Sequence, residues 1–395
     1  MRSLEALRAD TPGTATRLHL NSAGASLMPT PVISAIQDHI NLEAQIGGYE
    51  AADAVGEAVT ATYDSLARLI GAEPHQIALT EHATQSFVQA LSSVPLRAGD
   101  TILTSIQDYN SNQIQYLSLA ERIGIKVVRA PADHHGALDA AATCEVIHRI
   151  RPRVVALTHI PTNSGMVQPL NGIGAACREA DAWYLVDACQ TIGQLPVDVE
   201  NLQCDFLSST ARKFLRGPRG AGFLYVSDRA LDAGLTPLFP DLRGVDWIDA
   251  DLTQPSLDAR RFETWECAWA LVLGMGAAAD YALEVGVEES GRRAIGLASN
   301  LRDQLSHIGG IRVLDRGPQL CAIVTISLND GGEERLMHAL REQSINTSFQ
   351  DRVSAPIDFD QKGIEGLLRL SPHYFNTEEE IDRATDTIRR ILADS

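Results

Sequence analysis

Residues 183–226 read WYLVDACQTIGQLPVDVENLQCDFLSSTARKFLRGPRGAGFLYV, and no other stretch constrains the fold as much. Three apolar runs, each too short for a helix, are joined by polar turns, so they read as buried strands. The first ends in Asp187, the second is followed by Lys213, and the third is entered through Gly217-Pro218-Arg219-Gly220. An acid and an amine are thus delivered to strand ends.

The preceding chain has the same rhythm. Strand-like runs at 77–80, 101–105, 125–130 and 154–160 precede helical patterns starting near His82 and at 110–122, 139–150 and 172–180. This alternation predicts an α/β fold with a mostly parallel sheet covered on both faces. Ligands in such folds sit in loops at the carboxyl ends of the strands. Upstream, a short strand at 18–20 leads into a loop of small residues, and Thr30-Pro31 opens a helix to about Ile46. After Gly47-Gly48 a second helix is expected over 50–70. Beyond Val226 the alternation stops, and 237–255, rich in Pro and Asp, reads as an irregular crossing segment. Helices are expected at 263–285 and 288–308, then strands at 311–314, 322–328, 345–350 and 367–371 with one helix between them. A last helix starts at Thr377, which forms a capping box with Glu380. The expected division is an N-terminal segment at the active site (1–30), a large sheet domain (31–262) and a smaller C-terminal α+β domain (263–395).

The net charge of -18 argues against a sequence-independent nucleic-acid binder, which needs basic surface. No apolar run approaches the roughly 20 residues of a membrane helix. The longest, 268–279, is rich in Ala and Gly and reads as a packed helix. The start, MRSLEALRADTPG, lacks the apolar core of a secretory signal. Six scattered cysteines without a Cys-x-x-Cys pair suit reduced thiols in a cytoplasmic protein and offer no metal spacing.

Lys213 follows a strand directly, and the charge of Arg212 beside it would lower its pKa. A surface lysine is the plain alternative. Asp187 is either a helix N-cap or a working carboxylate. A phosphate needs N–H groups at a helix start, hydroxyls and a cation. Residues 80–84 supply a helix start after a strand, while Thr210 and Arg212 supply a hydroxyl and a charge beside Lys213. Amine, acid and phosphate cup on one predicted edge are the parts that hold pyridoxal 5'-phosphate (PLP). The amine forms a Schiff base with the cofactor aldehyde, and the acid keeps the pyridine nitrogen protonated.

The pattern Asp187-Ala188-Cys189-Gln190, then Thr210-x-Arg212-Lys213, then Gly217-Pro218-Arg219-Gly220-x-Gly222-Phe223-Leu224-Tyr225 resembles the class V aminotransferase family, PLP fold type I. The resemblance runs from His19-Leu20-Asn21 to Arg369-x-Ser371 and Asn376-Thr377-Glu378-Glu379-Glu380. It implies a large domain with a seven-stranded sheet, Lys213 as the Schiff-base lysine and Asp187 as the pyridinium partner. Gln190 matches the contact to the PLP phenolate oxygen. Ala83 and Thr84 match the phosphate-binding helix start, and Thr210 and Arg212 the phosphate contacts before the lysine. Tyr109 takes the place of the ring stacked on PLP, often a histidine in desulfurases. Thr162 stands where many members have Asn. Thr264 resembles the residue that reaches the phosphate of the neighbouring subunit, which implies a homodimer with shared active sites. Arg369 resembles the arginine that grips the substrate α-carboxylate, a role suited to a planar guanidinium. Asn21, Ser22 and Tyr49 are candidates for the substrate mouth, and His159, at a strand end, is either near the site or a core histidine.

Desulfurases of this family carry a sulfur-accepting cysteine on a loop shortly before that arginine. Residues 344–366 contain none, and Cys321 is expected in the core. The expected reaction is therefore C–S β-lysis of a cysteine S-conjugate. Lys213 removes the α-proton, the β-sulfur group leaves, and aminoacrylate hydrolyses to pyruvate and ammonia. Ser209-Thr210-Ala211-Arg212-Lys213 and Leu368-Arg369-Leu370-Ser371-Pro372-His373 are similar to C–S lyases of the ergothioneine and lincosamide pathways. The same parts also serve an epimerase, an aminotransferase or a decarboxylating oxidative deaminase of an S-conjugate. A non-catalytic PLP-fold protein is the remaining alternative, against which the intact Lys213, Asp187 and Arg369 count.

Overall fold

A computed structural model describes residues 2–394. After a two-residue strand, β1 (Leu18–His19), seven strands build the main sheet: β2 (Ile77–Thr80), β3 (Thr101–Thr104), β4 (Lys126–Arg129), β5 (Val154–Thr158), β6 (Trp183–Asp187), β7 (Phe206–Thr210) and β8 (Gly222–Val226). Their order is β2-β8-β7-β6-β5-β3-β4. All run parallel except β8, which is antiparallel to β2 and β7. The central strands β5 to β8 are buried along their whole length, on both faces of the sheet, whereas the edge strand β4 begins with the exposed Lys126. Tyr184, Val186, Leu207 and Phe223 pack on one side, and Trp183, Leu185, Phe206 and Leu224 on the other. The chain reverses its direction across the sheet between β3 and β5, the place where open α/β sheets form a ligand crevice.

The segment expected to be irregular contains an antiparallel hairpin, β9 (Val245–Asp249) with β10 (Leu252–Pro255). The prolines do not prevent it: Pro237 and Pro240 lie outside the pair, and Pro255 ends an edge strand, where a missing N–H is harmless. The helix expected from 263 begins at Trp269. Glu263 stays extended because its buried carboxylate accepts the Leu79 N–H at 2.9 Å and the Tyr63 hydroxyl at 2.8 Å. The helix expected over 50–70 is two, Gly48–Ala54 and Gly56–Ile70, parted at Val55.

The C-terminal sheet, β11 (Ile311–Val313), β12 (Val324–Leu328), β14 (Ser348–Asp351) and β15 (Gly366–Leu370), is antiparallel in the order β11-β12-β15-β14. The strand expected at 345–350 is divided, since β13 (Ile345–Asn346) leaves that sheet to pair in parallel with β1. Two helices, not one, lie among these strands, Glu333–Glu342 and Pro356–Lys362, the second opened by its proline. Helix Trp269–Val285 buries Val272, Met275, Ala278 and Ala279 in the core of the main sheet, and the C-terminal core begins with Ala294 on the next helix. Leu18, Leu20 and Ala23 join the C-terminal core, so the N-terminal segment straps the two bodies together. Among the described residues no single helix is long and apolar enough to cross a membrane.

Candidate active site

The carboxyl ends of β2, β3, β5, β6 and β7 and the start of β8 surround a cavity of about 320 Å³. Of the residues expected from sequence, Ala83, Thr84, Tyr109, Thr162, Asp187, Gln190, Thr210, Arg212 and Lys213 all line it. Sequence reasoning missed Asn112, Thr158, Cys189 and Arg219, which line it too. Arg219 and Cys189 sit inside motifs already singled out, so proximity in sequence was the available signal.

Lys213 makes no hydrogen bond or ion pair through its amine among the described residues, and Nζ lies 6.0 Å from the Tyr109 ring centroid. Burial pushes its pKa down, Cys189 and Asp187 oppose that shift, and Arg212 and Arg369 add to it. Asp187 accepts the Cys189 N–H on Oδ1 at 3.0 Å and the Asn112 amide on Oδ2 at 3.1 Å. Gly193 lets the turn after Asp187 pack on the lysine segment: at φ +90°, a Cβ there would lie 2.3 Å from the Phe214 carbonyl carbon.

At one end of the cavity, helix Ala83–Ser93 begins with His82 as N-cap, and its first N–H groups have no partner within the helix. Thr84, Thr210, Arg212 and Arg219 converge there, a combination suited to a phosphate dianion. Arg212 also donates to the Gly24 carbonyl, tying the N-terminal strap to the site.

Arg369 on β15 and Asn21 do not line the cavity but stand behind its lining residue Thr162: Arg369 donates to the Thr162 carbonyl at 3.1 Å, to Thr162 Oγ1 at 2.6 Å and to Asn21 Oδ1 at 3.4 Å, while its Nε is buried without a partner. Burial and the nearby Arg212 lower its pKa to about 10. Gln190 donates to Thr162 Oγ1 and the Ala23 carbonyl, both at 3.0 Å, and its Oε1 has no partner.

Other expected residues lie outside this cavity. Tyr49 is 77% exposed on helix Gly48–Ala54 and points to solvent, so within its own chain it does not form the substrate mouth. Thr264 donates to Glu81 at 3.0 Å in an adjoining cleft. Ser22 is buried against Ser26. His159 is not a lining residue; its backbone N–H donates to the Asp187 carbonyl, and burial lowers its pKa to about 4.

PLP fits this donor set. A partnerless buried amine, a carboxylate, an anion cup and the unpartnered Gln190 Oε1 and Arg369 Nε all lie in or against one cavity. Rotating the Gln190 amide exchanges its oxygen and nitrogen, so it can present either group. Among the described residues no cluster could hold a metal.

The family model described as Aminotransferase class-V matches residues 18–384. A probable cysteine desulfurase of Methanothermobacter thermautotrophicus is 26% identical over 395 residues, covering 98% of each chain. The apo structure of cysteine desulfurase from Thermococcus onnurineus NA1 matches with a TM-score of 0.91 at 22% identity, covering 100% of this chain and 99% of that one. A complex between the cystine C–S lyase C-DES and its product cysteine persulfide matches with a TM-score of 0.85 at 23% identity, covering 96% and 99%. With the family model spanning nearly the whole chain, and with lysine, acid and phosphate cup on one sheet edge, the chain belongs to the class-V aminotransferase family of PLP enzymes.

Proposed function

We propose that this protein is a PLP-dependent C–S lyase that eliminates the β-sulfur group of a cysteine-derived amino acid, a cysteine S-conjugate in particular. The observation that carries this reading is the buried, unpartnered Lys213 amine facing the same cavity as Asp187, with Arg369 behind its wall. When bound, PLP acts as an electron sink for the pair left at the substrate Cα. Asp187 would face the ring nitrogen, Tyr109 the ring, and Ala83, Thr84, Thr210, Arg212 and Arg219 the phosphate. Arg369 would exchange its bonds to Thr162 and Asn21 for the substrate carboxylate, orienting the Cα–H toward Lys213. Lys213 Nζ would then take that proton, while the Cβ–S bond breaks and sulfur leaves with the bonding pair.

Several relatives are named cysteine desulfurases. In this chain the connection from β13 to β15 has no cysteine that could receive sulfur, and Cys321 is buried in the C-terminal core. Cys189 lies in the cavity, but burial and Asp187 push its pKa up, and a neutral thiol is a poor nucleophile. Release of sulfur with the leaving group is therefore favoured over its capture by the protein.

A homodimer belongs to the same reading. Phe239, Trp247 (79% exposed) and Leu257 (87% exposed) are large apolar side chains left open on and beside the β9–β10 hairpin. Large contiguous apolar patches on soluble chains mark interaction sites. The direct test is to assay pyruvate from the purified holoenzyme with cystine and a panel of S-conjugates. Absence of pyruvate with all of them, together with racemisation of a free amino acid, would make the protein an epimerase instead.

A further inference from the structure

Behind Asp187 stands a second buried carboxylate that the reaction above does not use. Asp108 lies four residues beyond β3 and accepts five donors. Its Oδ2 takes Thr104 Oγ1 and Gln113 Nε2, both at 2.9 Å. Its Oδ1 takes Thr158 Oγ1 at 2.6 Å, the Tyr109 N–H at 2.7 Å and Asn112 Nδ2 at 3.1 Å. That same Asn112 nitrogen donates to Asp187 Oδ2 at 3.1 Å. Two bonds from one nitrogen hold the carboxylates within about 6 Å of each other. Asn112 is buried, and Gln113 in turn accepts from Arg129 Nη2 at 2.7 Å. A continuous chain, Arg129–Gln113–Asp108–Asn112–Asp187, thus runs from β4 to the cavity.

Burial, with the charge of Asp187, raises the Asp108 pKa on balance, and Thr158, Asn112 and Gln113 offset part of that rise. Five donors on two oxygens suit the ionised form. Two buried carboxylates sharing one donor repel each other, an arrangement that is relieved when a cation sits on the open side of the pair. The open side of Asp187 is the cavity.

We propose that Asp108 and Asn112 are positioning residues for Asp187. Asn112 fixes the plane of its carboxylate, and Asp108 adds a second negative charge that strengthens its hold on a protonated ring nitrogen. The proposal rests on the reading of Asp187 as the pyridinium partner. The other groups facing the pair are Tyr116 from helix Asn110–Ile123, Cys189 from the turn after β6, and Lys213 and Arg212 from the segment after β7. Of these, Tyr116 also senses Asp108 directly, so a substitution at Asp108 is read beside one at Asn112, which leaves the Asp108 charge in place.

The experiment reconstitutes the holoenzyme with ¹⁵N-labelled PLP and follows the ring-nitrogen chemical shift against pH. Asp187→Asn should abolish the protonated signal at neutral pH. Asp108→Asn, nearly isosteric, should lower the titration midpoint by on the order of one pH unit, a tenfold weaker hold on the proton. Asn112→Leu should lower it too and weaken PLP binding, and it serves if Asp108→Asn does not fold. An unchanged midpoint in either folded variant, with Asp187→Asn still disruptive, overturns the proposal. No effect of Asp187→Asn overturns the underlying reading of Asp187 itself, and the proposal with it.

Discussion

Arg369→Met separates binding from stability. Arg369 is 4% exposed and has no anionic partner; its contacts are the Thr162 carbonyl and hydroxyl and Asn21. Burial and then the Arg212 charge lower its pKa to about 10, a cost on the order of 3 kcal/mol for holding the charge there. Its hydrogen bonds return an amount of that order, since bonds to charged groups contribute about 1.5–3 kcal/mol each and the weakest, at 3.4 Å, contributes little. Methionine fills similar space without the charge. The variant should therefore keep its unfolding free energy within about 1 kcal/mol, a shift of no more than about 2 °C in Tm for a chain of this length. Substrate binding should suffer badly, because removing one partner of a buried charge pair costs about 2–5 kcal/mol, at least roughly 30-fold in affinity. The assay compares urea unfolding with KM for an S-conjugate of cysteine and for the same conjugate of cysteamine, which lacks the carboxylate. Only the cysteine conjugate should weaken. A stability loss above about 3 kcal/mol with an unchanged KM would refute the reasoning and make Arg369 structural.

Acid should destabilise the fold through its buried histidines. His19, His159 and His373 have pKa values lowered from 6.5 to about 4, 4 and 3, chiefly by burial. In His373, Nδ1 accepts the Tyr374 N–H at 2.8 Å, so protonation there breaks a bond. The unfolded chain binds more protons than the folded one below pH 6.5, so stability falls as pH drops from 6.5 toward 4, by up to about 1.4 kcal/mol per pH unit per imidazole. Urea unfolding at pH 7 and pH 5 reads this directly, and equal midpoints would contradict it. Cys189 should be the thiol whose alkylation PLP blocks: peptide mapping after iodoacetamide should find it labelled slowly in the apoprotein, and equal labelling of apoprotein and holoenzyme would place the cofactor elsewhere. Trp247→Asp with Leu257→Asp should convert a dimer to monomers in light scattering without lowering Tm by more than a few degrees, and a persisting dimer would exclude the hairpin face.

The sequence by itself determined the strand ends. The run Trp183–Val186 is apolar because both faces of the sheet are covered, so this strand and its end at Asp187 were legible. Asp187 and Lys213 could be assigned to one edge because parallel strands place all their carboxyl ends together. Tertiary structure decided what local pattern cannot carry. Whether 263–268 is helix depends on Glu263 receiving an N–H from Leu79, 184 residues away in sequence. The split of 345–351 depends on β1, a partner from the other end of the chain. Arg369 faces Thr162 only because the C-terminal sheet folds back onto the main one. The Asp108–Asn112–Asp187 chain was likewise invisible, because a helix and a distant strand meet there through one amide nitrogen. Periodicity reports which way a residue faces; only packing reports what stands opposite it.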